Sequence, residues 1–306
     1  MINRVLIRIK IIQIVYAYYQ NGNKNLETAE KELLFSLSKA YDLYNYLLML
    51  LVSIGQFAQR RLDSRLLLSP EDKSQLDVFV QNKFLNQLQT NRQLQNYVSN
   101  QKRSWDNESA TVKSLLDDIL ASDIFKAYME EQEHTYESDR ELWRKIYKYF
   151  IKDNEELDAL LEEQSLYWND DKVIVDTFVM KTIKRFDPAN GANQELQPDY
   201  KDEEDREFAV RLFRRAIMNG EEYRRLIEES VRNWDIDRVA LMDIIIMQVA
   251  VAEIMGFPNI PLSVTINEYV ELAKIYSTAK SGAFVNGTLD GVIKELQQGG
   301  HLLKKF

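Results

Sequence analysis

The chain has 306 residues, of which 45% are hydrophobic, enough for about two domains with buried cores. It contains no cysteine, which excludes disulfides, thiolate nucleophiles and cysteine-based zinc sites and is typical of a reducing compartment, so we expect a cytoplasmic protein. With only 10 glycines and 5 prolines, and none between Pro70 and Pro188, turns are scarce, and the sequence predicts an all-α fold with long helices.

Charge is distributed unevenly around the net value of −9. Residues 101–200 contain 23 acidic and 13 basic side chains, a balance of −10, whereas the remaining residues contain 26 basic and 25 acidic ones. The first 26 residues have no carboxylate and carry four cations, Arg4, Arg8, Lys10 and Lys24. A small cationic zone at the start of the chain is therefore followed by a strongly acidic middle, which we expect to point away from any nucleic acid.

The apolar N-terminus is interrupted by arginines and is not predicted to be a secretion signal. It is instead predicted to form a helix over Val5–Tyr19, although its β-branched residues leave a strand possible. A second long helix is predicted from Thr28 toward Arg61, with leucines and tyrosines at helical spacing. The apolar run Tyr46–Val52 is far shorter than the ~20 residues that cross a bilayer, so we expect no membrane partner.

Four amphipathic segments follow in the middle of the chain, at Gln75–Val98, Thr111–Glu131, Asp139–Leu161 and Lys172–Phe186. The segment Asp187–Tyr200 contains two prolines and a glycine and is predicted to be a loop.

After the loop the predicted helices are shorter and have clearer start and stop signals. Their predicted spans are Glu203–Met218, Glu222–Arg232 and Asp237–Met255, and two more helices follow. The pattern predicts N-terminal helices over residues 1–61, an acidic helical segment over 62–200 that ends in the loop, and a C-terminal helical bundle over 201–306.

Enzymatic motifs are weak throughout. Glu131 and His134 have the spacing of half of a di-metal carboxylate site, but such a site needs a second Glu-x-x-His on another helix, and the only other histidine is His301. No glycine-rich phosphate loop follows a predicted strand. We therefore expect no enzyme activity, no cofactor and no metal site.

The most ordered pattern in the chain lies between Asn233 and Ile293. Its elements are Asn233-Trp234, Arg238, Asp243, Glu253, Ile260-Pro261, "INEYVELAK" and "FVNGTLD". Together they resemble the signature half of the NusB family of transcription antitermination factors, and "RVLIRIKIIQIVY" at the start of the chain is similar to the family's basic first helix. Residues 62–200 have no counterpart in the family core.

The resemblance implies a NusB-like pair of helical bundles with an additional helical insertion. It also implies a non-enzymatic factor that binds boxA-type RNA together with the ribosomal protein NusE and joins an antitermination complex with RNA polymerase on ribosomal RNA transcripts. The residues expected to face RNA are Arg4, Arg8, Tyr16, Lys280, Phe284 and Asn286. Asp243 is expected to lie on the surface that faces NusE.

The sequence departs from the family pattern in two regions. Gln248 and Ala283 stand where the family usually has basic residues, and Ile7, Ile9 and Ile11 lie in a first helix that is usually richer in Arg and Lys. Reduced RNA affinity is therefore an open alternative, in which the protein acts as a helical protein-protein scaffold through its acidic insertion.

Three residues of the signature are ambiguous on chemical grounds. Gly287 and Gly291 lie one helical turn apart and could serve helix packing or the close approach of a ligand. Phe284 could belong to the core or stack on a base.

Overall fold

The computed structural model describes residues 1–21, 24–64, 68–231, 239–300 and 302. Over these residues the protein is all-α, as predicted, and an isolated parallel bridge between Ile2 and Tyr200 is the one β-type pairing. Asn233, Trp234, Arg238 and His301, to which the sequence drew attention, lie outside the described residues.

Fifteen α-helices occur in the described ranges. The first five are α1 (Arg4–Gln20), α2 (Leu26–Asp63), α3 (Pro70–Val80), α4 (Lys83–Gln89) and α5 (Arg92–Ser99). The next five are α6 (Ser109–Ala121), α7 (Asp123–Met129), α8 (Tyr136–Ile146), α9 (Glu155–Gln164) and α10 (Lys172–Arg185). The last five are α11 (Glu203–Met218), α12 (Gly220–Ser230), α13 (Leu241–Gly256), α14 (Leu262–Tyr276) and α15 (Ser281–Gln298). The N-terminal segment is thus a helix rather than a strand.

The chain divides into two compact units. The central unit comprises Met1 and residues 38–199, and the terminal unit comprises residues 2–37 and 200–306. The first division falls within α2, between Leu37 and Ser38, whereas the sequence suggested a boundary after residue 61.

The terminal unit is organised around α13. This helix is predominantly apolar around its whole circumference, with Gln248 and Glu253 as buried exceptions, and it is almost completely buried from Ile245 to Ile254. A helix without a polar face must be covered all round, and α13 packs against α1, α11, α12, α14 and α15. The surface helices therefore take their positions from a central hydrophobic helix.

Helices in the central unit beyond α2 are short, so the prediction of long helices there is wrong. The breaks come from side-chain caps rather than from glycine or proline. Asn82 accepts a hydrogen bond from the Leu85 backbone N–H at 2.9 Å and starts α4. Asn91, Ser122 and Asn154 start α5, α7 and α9 in the same way. A capping side chain satisfies one of the free N–H groups at a helix start, so a polar residue suffices to begin a new helix.

The central unit also contains a buried ionic network. Tyr147 donates a hydrogen bond to Asp176 at 2.6 Å, and Lys172 Nζ lies 3.0 Å from the other oxygen of the same carboxylate. Lys172 also donates to the Ile151 carbonyl at 3.2 Å. Burial raises the pKa of Asp176, although the charge of Lys172 opposes this effect. Because every member has a partner, the network is compatible with a low-dielectric core.

Candidate nucleic-acid interface

Three of the residues predicted to bind RNA lie together at the start of α15. Lys280 occupies the N-cap position and is exposed, Phe284 lies in the first turn and is half-buried, and Asn286 is exposed. Helix α15 is held in place by its packing on α12, α13 and α14. A cation, an aromatic ring and an amide are thus presented within about two turns of one rigid helix, a combination suited to an unpaired nucleotide.

The two signature glycines have different environments. A Cβ atom added at Gly291 would lie 3.1 Å from Cβ of Ser230, so this glycine permits the packing of α15 on α12. A Cβ atom added at Gly287 would meet nothing within 4 Å among the described residues. Gly287 therefore destabilises its helix, by about 1 kcal/mol relative to alanine, without relieving any crowding in the described ranges.

The Gly287→Ala variant is accordingly expected to be more stable than the parent by about 0.5–1 kcal/mol. Gly291→Ala is the matched control, because it makes the same change in the same helix but crowds Ser230, and it should gain less or lose stability. Urea denaturation of both variants measures the difference. A loss of stability for Gly287→Ala would mean that this face of α15 is covered within the protein.

Helix α1 presents its arginines differently from the sequence prediction. The Arg8 guanidinium is buried and forms two hydrogen bonds to Glu253, from Nε to Oε2 at 2.8 Å and from Nη2 to Oε1 at 2.9 Å. Thr265 and Tyr269 complete the network by donating to the two oxygens of the same carboxylate. Burial lowers the pKa of Arg8, but the bonds to Glu253 outweigh it and raise the pKa above its ordinary value.

Arg8 therefore ties α1 to α13 and α14 and does not offer its guanidinium to a phosphate in this structure. The sequence predicted instead that Arg8 faces RNA. Its place in the first helix could be predicted, but not that its side chain lies against α13.

The other predicted residues of α1 are partly accessible. The side chain of Arg4 is 33% exposed, and it pairs with Glu204 at 2.6 Å and with Asp205 at 3.0 Å. Its charge is thus largely neutralised by the first turn of α11. Tyr16 is half-buried and accepts a hydrogen bond from the Gln20 side chain at 3.3 Å.

Asp243 lies in the first turn of α13, as predicted, but it is only 6% exposed. Its Oδ2 accepts a hydrogen bond from Ser281 Oγ at 2.9 Å, which joins the starts of α13 and α15. The structure therefore gives Asp243 an internal position rather than the exposed, partner-facing one expected from sequence. Reversing its charge is expected to perturb the fold at this junction, so loss of partner binding in such a variant would not define an interface.

Sequence reasoning missed a polar cluster around Gln248. This side chain is fully buried, and it accepts a hydrogen bond from Arg224 Nε at 2.8 Å and donates to the Tyr19 hydroxyl at 3.0 Å. It also donates to the Ala216 carbonyl at 2.7 Å. The sequence did mark the position, since Gln248 stands where the resembled family has an arginine. The hydrogen-bond partners of Gln248 could not be predicted, because they are far away along the chain.

Among the described residues, no helix is long and apolar enough to cross a membrane. No group of three or more His, Asp or Glu side chains in the described ranges is arranged to hold a metal ion. His134, from the weak metal motif, packs on the ring of Tyr128 with the ring centroids 4.2 Å apart.

Comparison with known proteins supports the resemblance. The NusB family model matches residues 179–294. The transcription antitermination protein NusB of Salinibacter ruber is 37% identical over 132 residues, which cover 41% of this chain and 82% of that protein. The NusB proteins of Geotalea daltonii and Symbiobacterium thermophilum are 38% and 42% identical, with 44% and 36% of this chain and 89% and 74% of those proteins covered. No solved structure matches the chain.

These similarities are to transcription antitermination factors, a family of non-enzymatic proteins. The chain belongs to the NusB family. It is longer than the NusB relatives that it matches.

Proposed function

We propose that this protein binds a short single-stranded boxA-type RNA together with the ribosomal protein NusE, and that it acts in an antitermination complex with RNA polymerase on ribosomal RNA transcripts. Membership of the NusB family supports the general role. The start of α15 supports the location of the RNA site, because it combines Lys280, Phe284 and Asn286 on one helix.

The observation that carries the proposal is the uncovered glycine at position 287. A helical glycine that relieves no crowding among the described residues costs stability without a packing benefit there, which favours a role for it in contact with a ligand. An incoming sugar-phosphate chain could approach the backbone of α15 closely at Gly287, beside the exposed amide of Asn286. Phe284, half-buried one turn earlier, would stack on a base, and Lys280 would contact a phosphate.

Within this proposal Arg8 and Asp243 support the site without touching RNA or NusE. Arg8 holds α1 against α13, and Asp243 holds the start of α15 through Ser281. Tyr16 and Arg4 remain candidate contacts on α1, although Arg4 must first leave its carboxylate partners. The contribution of Arg4 to affinity is therefore expected to be small.

The Phe284→Ala variant is expected to lose about 1–3 kcal/mol of RNA binding energy, because a base would lose its stacking partner. The dependence of affinity on salt concentration should stay unchanged, since no charge is removed. Fluorescence anisotropy with a labelled boxA-type RNA at several salt concentrations measures both quantities.

Lys280→Gln provides the complementary control on the same helix. It should reduce the slope of log affinity against log salt by about 0.7, the value for one phosphate contact on single-stranded RNA. Unchanged binding in both variants, with the fold intact by circular dichroism, would remove α15 from the RNA site.

A second candidate function is a protein scaffold with little RNA binding. The pairing of Arg4 and Arg8 with carboxylates favours it, because the first helix then has little free positive charge to attract phosphates. Titration of the full chain with boxA-type RNA, with and without NusE, separates the two functions. Binding of NusE without any gain in RNA affinity would favour the scaffold.

A further inference from the structure

A second group of cations lies at the end of α1, in what we call the Tyr19 cluster, formed by Tyr19, Lys24 and Arg224. The guanidinium carbon of Arg224 lies 4.0 Å from the centroid of the Tyr19 ring, and Lys24 Nζ lies 5.6 Å from it. Lys24 is exposed and Arg224 is half-buried. Two positive charges thus converge on one aromatic ring, about 20 Å along α1 from Arg4.

The charge of Arg224 is not neutralised by the described part of the chain. Its Nε donates to Gln248, and its Nη2 is buried and has no hydrogen-bond partner. Glu221 and Glu228 share its helix and are exposed, but neither forms an ion pair with it among the described residues. A guanidinium that is held in place without a carboxylate partner among the described residues keeps its full positive charge, which attracts an anion.

The position of the guanidinium is set by buried neighbours. The amide of Gln248 donates to the Tyr19 hydroxyl and to the Ala216 carbonyl, so its oxygen is directed at Arg224. A Cβ atom added at Gly220 would lie 2.6 Å from the Tyr19 hydroxyl and 2.8 Å from Gln248 Nε2. A cation in place of Gln248 would repel Arg224, whereas the neutral amide accepts its N–H.

We propose that the Tyr19 cluster binds a phosphate of the RNA and extends the binding surface beyond α15. This inference rests on the proposed function. Tyr16 lies one helical turn before Tyr19 on the same face of α1 and is also half-buried, which provides an aromatic surface next to the cations. The planar guanidinium fork matches phosphate oxygens, and the Lys24 ammonium adds a second positive charge.

The test compares three single substitutions in the full chain, Arg224→Gln, Lys24→Gln and Arg225→Gln. Arg225 is the matched control, because it is exposed on the same helix one position further and removes the same charge. Arg224→Gln and Lys24→Gln should each flatten the slope of log affinity against log salt by about 0.7. The resulting loss is about fivefold at 0.1 M salt and shrinks toward none near 1 M. Arg225→Gln should behave like the parent.

The probe is a labelled single-stranded boxA-type RNA, and thermal melting checks the fold of each variant. The Lys24→Gln variant keeps the test decisive if Arg224→Gln is unstable, because the Lys24 side chain is exposed. If the parent binds RNA and both cluster variants match Arg225→Gln, the inference is wrong while the proposed function stands. If the parent binds no RNA, the proposed function is wrong, and the inference that rests on it is wrong as well. A loss of NusE affinity with unchanged RNA affinity would overturn the inference in favour of a partner carboxylate.

Discussion

The Arg8→Ala variant is expected to lose about 3–5 kcal/mol of unfolding free energy, because it leaves the Glu253 carboxylate buried without its counter-charge. Arg8 and Glu253 are both buried and share two hydrogen bonds. Thr265 and Tyr269 remain as donors to the carboxylate, but neither carries a positive charge. Chemical denaturation followed by circular dichroism measures the change.

Arg4→Ala is the matched control, since Arg4 lies one turn earlier on the same face of α1 and is partly exposed. Its loss should be about 1 kcal/mol or less, as for other surface ion pairs. Adding Glu253→Gln to Arg8→Ala should restore part of the lost stability, because an amide leaves no buried charge. Equal losses for Arg8→Ala and Arg4→Ala would contradict the internal role of Arg8. If a folded Arg8→Ala variant showed a flatter salt dependence of RNA binding, the result would support the phosphate contact of Arg8 that was predicted from sequence.

Lys172→Met is expected to destabilise the central unit by about 3–5 kcal/mol at neutral pH, for the same reason. Asp176 is 2% exposed and would keep Tyr147 as its donor but lose its positive partner. Burial already raises the pKa of Asp176, and the variant removes the opposing effect of Lys172. The folded state of the variant therefore binds a proton more readily than the unfolded chain, whose Asp pKa is about 3.9.

The sign of the pH dependence follows from that difference. A group whose pKa is raised by folding stabilises the protein at low pH and loses this contribution as the pH rises through the folded pKa. The difference between Lys172→Met and the parent should thus be largest at neutral pH and should shrink as the pH falls toward about 4. Lys126→Met, in the exposed pair with Asp123, is the control and should change stability by about 1 kcal/mol or less. A pH-independent loss would mean that Asp176 stays charged without Lys172.

The helical nature of the fold could be predicted from sequence because it depends on local information. The span of α11 was predicted at its observed bounds, that of α10 differs by one residue at its end, and that of α1 differs by one residue at each end. The helices of the insertion were predicted to be too long. Asn82, Asn91, Ser122 and Asn154 are ordinary polar residues inside amphipathic segments, and only their local hydrogen bonds reveal that each begins a new helix.

The candidate site was predictable where a residue's role depends on its own helix. Lys280 and Phe284 lie at the start of α15 as the sequence indicated. The different roles of Gly287 and Gly291 could not be predicted, because they have the same spacing and chemistry and differ in whether Ser230 lies opposite.

By itself the sequence determined that the protein is helical, that it carries the NusB signature and that its charge is concentrated in the middle, since composition, periodicity and motif spacing are properties of the chain. The tertiary structure decided which cations are available. Arg4, Arg8 and Arg224 are all arginines in amphipathic or apolar helices, and the sequence does not distinguish their partners. Glu204 and Asp205 neutralise Arg4, and Glu253 neutralises Arg8. Arg224 is bonded to the neutral amide of Gln248, which leaves its charge uncompensated. Partners that are distant along the chain determine the free charge of an arginine, and they meet only when the helices pack around α13.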